Sequence, residues 1–157
     1  MDKIDDLSIG DRCVVSKYID NPLVISNQKF DFRIYVLITG CSPLRLFIYE
    51  EGLTRFCTKR YEKPSDSNIA NRFIHLTNYS INKTNPNFEF NQDSECDDVG
   101  HKRSLTSIFS ILEEQGADID TIWSEICEIV IKTVVMAQPY LKANYTRHQN
   151  GDLFNGM

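Results

Sequence analysis

Lys29, Asp31 and Arg33 stand two residues apart at the start of the run 29–38. Residues two apart in an extended strand share a face. The odd positions therefore line up as cation, anion, cation, followed by Tyr35 and Leu37. The even positions, Phe30, Phe32, Ile34, Val36 and Ile38, are all apolar and predict a face that covers a core. Arg55 lies in a later strand-forming segment and reaches the same polar face if the strands pair as their turns suggest. Two guanidiniums over one face repel unless an anion joins them, and their planar forks suit bidentate binding of phosphate or carboxylate. Lys29 adds a point charge for a phosphate, and Asp31 would hold the cations or a ribose hydroxyl in place. The competing reading is a solvated antiparallel face, which alternates in the same way.

His75-Leu76-Thr77-Asn78-Tyr79-Ser80 is the second constellation, a dense run of hydrogen-bonding side chains suited to a nucleotide-contacting loop. A polar turn closed by local Asx and Ser/Thr bonds is the plainer account of it. For His75 a structural role is favoured over catalysis, because no Ser, Cys or carboxylate partner is indicated. Neither a P-loop nor G-x-G-x-x-G is present, so neither common phosphate-binding loop explains the site. The five cysteines show no metal-type spacing, and their odd number without a leading signal peptide predicts a reducing compartment. No stretch approaches the ~18 apolar residues of a membrane span.

Charge is unevenly spread. Residues 1–83 carry 12 Lys+Arg against 10 Asp+Glu, and residues 84–157 carry 5 against 12, within a net charge of −5. A basic cluster at Arg55, Lys59, Arg60 and Lys63 in an acidic chain argues against general nucleic-acid binding. It permits a local dock for an anionic group or tail; a solvated loop is the alternative.

The elements that must position these residues follow from the pattern. Cys13–Ile19 reads as a short strand ending at Asp20-Asn21-Pro22. Phe30–Ile38, Leu44–Glu50 and Thr54–Cys57 read as three strands of an antiparallel meander, with turns at 40–43 and at Glu51-Gly52. Asn68–Ile74 predicts one or two helical turns. Residues 82–100 hold Pro86 and several Asn and Asp, and predict a mobile surface loop. Ser104–Gln115 is an amphipathic helix stopped by Gly116. A second helix starts near Asp118 or Asp120 and is kinked or ended by Pro139. The fold class is α+β: an antiparallel sheet followed by two helices.

Read together, these segments resemble a known family. Val14-Val15-Ser16-Lys17-Tyr18-Ile19-Asp20-Asn21-Pro22-Leu23 is similar to the hinge strand of tubulin-tyrosine-ligase-like enzymes. Lys29-Phe30-Asp31-Phe32-Arg33-Ile34-Tyr35-Val36-Leu37 resembles their K-F-D-x-R-x-Y-V-L strand. Tyr49-Glu50-Glu51-Gly52-Leu53-Thr54-Arg55-Phe56 and His75–Lys83 follow in the family's order. The form of the last motif looks more like the glutamate-adding members than the tyrosine ligase.

The resemblance implies an ATP-grasp fold, with ATP between two antiparallel sheets. It implies that Lys17, Tyr18 and Ile19 form the adenine hinge, that Lys29 and Asp31 contact phosphate and ribose, and that Thr77 and Asn78 close over them. Arg33 and Arg55 would be the catalytic pair holding the phosphoryl end and the carboxylate being activated. The implied cofactors are ATP and Mg2+. The implied partners are free glutamate and the acidic C-terminal tails of tubulin or similar proteins, with no nucleic acid or membrane. The implied place is the cytoplasm and cytoskeleton, including cilium or basal body. In this family the metal ligands come on a later strand, expected beyond residue 157, and a nucleotide-binding sheet precedes the hinge. Residues 1–157 are thus expected to be part of a single ATP-grasp ligase domain, inactive alone. A non-catalytic module that docks acidic tails or microtubules is the alternative.

Overall fold

A computed structural model describes Gly10, residues 12–91 and residues 98–152, the last five as backbone only. The chain divides into two compact units, Met1–Arg33 with Leu53–Ser104, and Ile34–Gly52 with Leu105–Met157. One four-stranded sheet has the order β1(Val24–Ile25), β2(Gln28–Cys41), β3(Leu44–Phe56), β4(Lys102–Ser104). Two single helical turns, α1(Arg72–His75) and α2(Tyr79–Asn82), precede β4. The helices α3(Leu105–Glu114) and α4(Ile119–Asp152) follow it. The α+β reading, an antiparallel sheet with two helices after it, holds.

In the first unit β1 and β2 form a tight hairpin, with Ile25 opposite Gln28. Its two-residue turn places Ser26 at φ 51° and Asn27 at φ 60°. Two left-handed residues give the backbone twist that a right-handed strand pair needs. Cys57 N–H donates to the Lys29 carbonyl at 2.9 Å, so the chain just past β3 stays beside the start of β2. Phe30 packs on Phe32 and Phe56, with ring centroids 5.4 and 5.5 Å apart. Phe56 and Ile74 are buried in this core.

In the second unit α3 buries Leu105, Ile108 and Leu112, and Phe109 meets Trp123 of α4 edge-on at 6.1 Å. The first amides of α3 have no intrahelical acceptor. Glu51 supplies one: its Oε1 accepts from Leu105 N–H at 2.8 Å and Thr106 N–H at 3.2 Å, and Oε2 accepts the Thr106 hydroxyl. Burial pushes the Glu51 carboxyl up, but these bonds and that from Gly52 outweigh it, and the net shift is downward. Gly116 at φ +88° ends α3 as expected, with Ala117 N–H closing onto the Leu112 carbonyl. Asp118 caps α4 through Thr121 N–H and hydroxyl.

Several expectations are corrected. Leu44–Glu50 and Thr54–Cys57 are not separate strands: β3 runs through Glu51-Gly52 without turning. The Glu51 carboxylate that a turn would have used for local bonding is spent on α3. Residues 12–19 form no strand, and Val14 is 97% exposed. β-propensity makes a strand only where a ladder partner exists. The apolar even face of β2 is not core throughout, since Val36 and Ile38 are exposed. Pro139 does not end α4, which continues to Asp152. Of the expected mobile loop, residues 92–97 lie outside the described residues. The described remainder is a surface segment, mostly exposed, that is anchored at a few points: Asn82, Asn85 and Gly100 are buried, and Phe88 stacks on His101 at 5.3 Å.

Candidate active site

Every expected site residue lies in the first unit. At its centre the Asp31 carboxylate accepts four hydrogen bonds. Arg55 grips it bidentately, Nε to Oδ1 at 3.0 Å and Nη2 to Oδ2 at 2.7 Å. Arg33 Nη2 and the Thr77 hydroxyl both donate to Oδ2, at 3.0 and 2.9 Å. The anion that two converging guanidiniums require is therefore Asp31 itself. The two arginines are not equivalent. Arg55 is 15% exposed and fully engaged, whereas Arg33 is 46% exposed and makes one contact.

Lys29 sits at the head of a second chain of bonds. Its Nζ donates to Tyr18 Oη and to the His75 carbonyl, both at 3.1 Å, and lies 4.3 Å from the Tyr18 ring centroid. Tyr18 Oη is 3.0 Å from His75 Nδ1, and His75 Nε2 is 3.2 Å from Asn68 Oδ1. One proton arrangement satisfies all of it: Lys29 donates to the phenol oxygen, the phenol donates to Nδ1, and Nε2–H donates to Asn68. That arrangement needs a neutral imidazole, and burial lowers the His75 pKa accordingly. His75 is thus a structural relay, as the sequence favoured. Burial also pushes the Cys57 thiol up to about 12, so it is no nucleophile here.

The loop that carries Thr77 is staked down by a residue that sequence reasoning passed over. Asn82 is 1% exposed. Its Oδ1 accepts from Thr58 N–H and hydroxyl at 2.9 and 3.0 Å, and its Nδ2 donates to the carbonyls of Leu76 and Asn78 at 2.7 and 3.1 Å. All four bonding capacities of the amide are used. The end of β3 and the His75–Ser80 run are therefore fixed to each other. The signal was present as an Asn following an apolar residue in a polar run, but nothing local distinguishes a buried Asn from a turn Asn.

The structure joins Asp31, Arg33, Arg55 and Thr77 in one hydrogen-bonded group, and Tyr18 and Lys29 in a second one with His75. Among the described contacts it does not join Lys17, Ile19 or the Asn78 side chain to them. Lys17 and Ile19 are exposed on a segment outside any strand or helix, and Asn78 serves as the N-cap position of α2. Three cations against one carboxylate leave a positive excess. Lys29 has a third ammonium proton, and the Arg33 fork has further N–H groups, to offer an external anion. The donor set fits a phosphate-bearing ligand. It does not fit a divalent metal: among the described residues no three His, Cys, Asp or Glu side chains are placed to hold one.

Comparison with known proteins finds relatives of this chain. The profile of the Tubulin-tyrosine ligase family matches residues 1–154. A "Probable beta-tubulin polyglutamylase" from Tetrahymena thermophila is 50% identical over 154 residues, covering 98% of this chain and 13% of that protein. "Tubulin polyglutamylase ttll6" of Danio rerio is 42% identical over 140 residues, covering 89% of this chain and 17% of its own length. "Tubulin polyglutamylase TTLL7" of Mus musculus is 40% identical over 141 residues, covering 90% and 15%. The chain thus spans under a fifth of the length of these relatives.

Proposed function

The chain belongs to the tubulin-tyrosine ligase family, and from that premise we propose that it carries the anion-holding part of an ATP-dependent ligase. The proposed reaction adds amino acids, glutamate by the likeness to polyglutamylases, to carboxylates on tubulin tails. ATP supplies a phosphoryl group that makes an acceptor carboxylate into an acyl phosphate; a free amino acid's amine then displaces phosphate and loses a proton as the amide forms. The observation that carries this reading is Arg33, Arg55 and Thr77 gathered on Asp31, with Lys29 two residues before it on the same strand.

Within it, Lys29 would hold a phosphate, presented by Tyr18 and the His75 carbonyl. Arg33, the more exposed guanidinium, is free to turn its unused N–H edge to a phosphoryl oxygen or carboxylate. Arg55 and Thr77 keep Asp31 fixed, and Asp31 orients Arg33. Preorganised charge of this kind lowers the barrier to phosphoryl transfer because no reorganisation is needed as negative charge develops. The backbone of residues 17–19, free of any ladder, is available to the adenine edge. Magnesium, where the reaction uses it, would neutralise phosphate charge through ligands not found among the described residues. Tubulin as acceptor would place the protein at the cytoskeleton, cilium included. Among the described residues no helix is long and apolar enough to cross a membrane.

Nucleotide titration of the full chain tests the reading. Wild type should bind ATP, and Lys29→Met should weaken it at least about tenfold, the loss of one charge-assisted phosphate contact. Equal nucleotide affinity in the two proteins overturns the assignment. Transfer of labelled glutamate to tubulin then separates a ligase from a non-catalytic docking module.

A further inference from the structure

The basic cluster read from the sequence is not used up by the anion site, because Arg60 lies elsewhere. It lines an open pocket of about 360 Å³ together with Asn27, Gln28, Glu89, His101 and Arg103. Every residue on the wall is polar or glycine. This pocket is on the other side of the sheet from Asp31. Strand alternation sets Phe56 and Arg55 on opposite faces. Arg55 grips Asp31, whereas the Arg103 guanidinium lies over the Phe56 ring, 4.6 Å from its centroid.

The pocket is built, not incidental. Arg103 Nε donates to the Gly100 carbonyl at 2.9 Å, and with Phe56 beneath it the guanidinium is fixed in position and plane. Gly100 is required there: at φ +83° a Cβ would stand 2.9 Å from the Glu89 carbonyl oxygen. His101 is clamped by Glu89, whose N–H donates to Nδ1 at 3.0 Å while its carbonyl accepts the His101 N–H at 3.2 Å. With Nδ1 an acceptor, Nε2 carries the proton. Gln28 Nε2 stands 3.2 Å from it, and a half-turn of the amide, which leaves its shape unchanged, makes that contact a hydrogen bond to the amide oxygen and sets the NH2 outward. Arg60 reaches Asn27 Oδ1 only at 3.5 Å. Among the described residues no carboxylate ion-pairs with Arg60 or Arg103. Burial already lowers the Arg103 pKa, with Asp98 and Glu89 acting against it from a distance. A half-buried guanidinium whose Nη edge has no acceptor among the described residues is a site waiting for an anion.

We propose that this pocket receives a carboxylate side chain of a glutamate-rich polypeptide, gripped by Arg60 and Arg103 and oriented by the Gln28 amide. The planar fork of Arg103 matches a carboxylate edge. The wall is mostly polar, with the His101 imidazole its one ring among the described residues, and its open mouth admits a side chain still attached to a backbone. Glu89, the one acid on the wall among the described residues, competes with the incoming carboxylate and lowers its affinity. The choice of a glutamate-rich polypeptide as the source rests on the function proposed above; the anion pocket itself does not.

Titration of the full chain with a fluorescent oligo-glutamate peptide, without nucleotide, tests this. A protein that fails to bind ATP still returns an answer. Arg103→Gln and Arg60→Gln should each weaken the peptide roughly tenfold, the loss of one charge-assisted contact. Glu89→Gln should tighten it about threefold by removing like-charge repulsion, a gain that misfolding cannot imitate. Arg60→Gln guards against a folding artefact at Arg103, because the exposed Arg60 makes one long contact only. Wild-type affinity in Arg60→Gln, or no gain in Glu89→Gln, overturns the proposal. So does displacement of the peptide by free glutamate or inorganic phosphate at equal concentration, because the pocket would then recognise no polypeptide carboxylate.

Discussion

The two units solve opposite problems. The first holds its shape with polar groups that are paired inside: Asn82, Thr58, His75 and Thr77 are all buried, and each has its partners. The second is held by amphipathic helices and caps, and much of its apolar surface stays in solvent. Met136 is 79% exposed, Tyr140 75% and Ile129 64%. Buried polar networks fix side chains to within hydrogen-bonding tolerance, which is what a charge cluster such as Asp31–Arg33–Arg55 needs. Apolar packing without such bonds fixes elements more than atoms. The chemistry is therefore carried where polar burial is most complete.

Substitutions can break or sharpen that contrast. The largest expected effect is Asn82→Ala, which removes four hydrogen bonds and takes from the Thr58 amide and the Leu76 carbonyl their partner, while the Asn78 carbonyl keeps two backbone donors. It should cost about 3 to 4 kcal/mol, because each buried group left unsatisfied costs roughly 1–3 kcal/mol. Chemical unfolding measures it, and a variant as stable as wild type would remove the basis for the comparison. Next come the arginines. Arg55→Lys breaks a bidentate grip that an ammonium cannot reproduce, so both ligation and melting temperature should fall. In a protein that carries the flanking segments the resemblance implies, Arg33→Lys should lower ligation about a hundredfold, on the order of 3 kcal/mol, yet change stability by under about 0.5 kcal/mol. Equal thermal losses in the two variants would mean that they are one structural ion-pair network.

In the second unit the effects should be smaller. Glu51→Gln weakens the cap of α3 and should cost about 1 kcal/mol. Its signature is pH dependence. The folded Glu51 pKa lies below its ordinary value, so its contribution is complete above the unfolded pKa and fades as pH falls through the folded one. The stability gap between wild type and Glu51→Gln should therefore close in acid, and a gap constant with pH would show that the charge is irrelevant. Smallest is Met136→Ala on α4, expected within about 0.5 kcal/mol by the same unfolding measurement.

What the sequence disclosed follows the same division. The alternation through Lys29, Asp31 and Arg33 was legible because strand geometry ties neighbours two apart to one face, and Arg55 was legible from its place in the next strand. That Asp31 would hold the cations was legible too; the bidentate grip of Arg55 against the single contact of Arg33 was not, because the pairing register is tertiary information. β4 and β1 were missed: three and two residues long, they are too short to show a period. The strand expected at Cys13–Ile19 had the composition but not the partner. The turn expected at Glu51-Gly52 failed because a cap for a helix fifty residues away cannot be seen locally. His101 and Arg103 carried no motif, and only the backbone clamp at Glu89 and Gly100 brings them together.

Pro139 in α4 has a kinetic consequence. Proline has no amide hydrogen, so the bond that residue 139 would make back to Val135 is missing from the ladder. The part of α4 before it is anchored by Trp123 and the buried Val134, and by Gln138 donating to the Cys41 carbonyl at 3.0 Å. From Pro139 to Arg147 every residue is exposed. With the ladder interrupted and the side chains of residues 139–147 exposed, the last turns can open without disturbing the earlier ones. Deuterium should therefore enter α4 in two steps, quickly from residue 140 onward and slowly before Val134, with the proline as the boundary between two separately opening segments of one continuous helix.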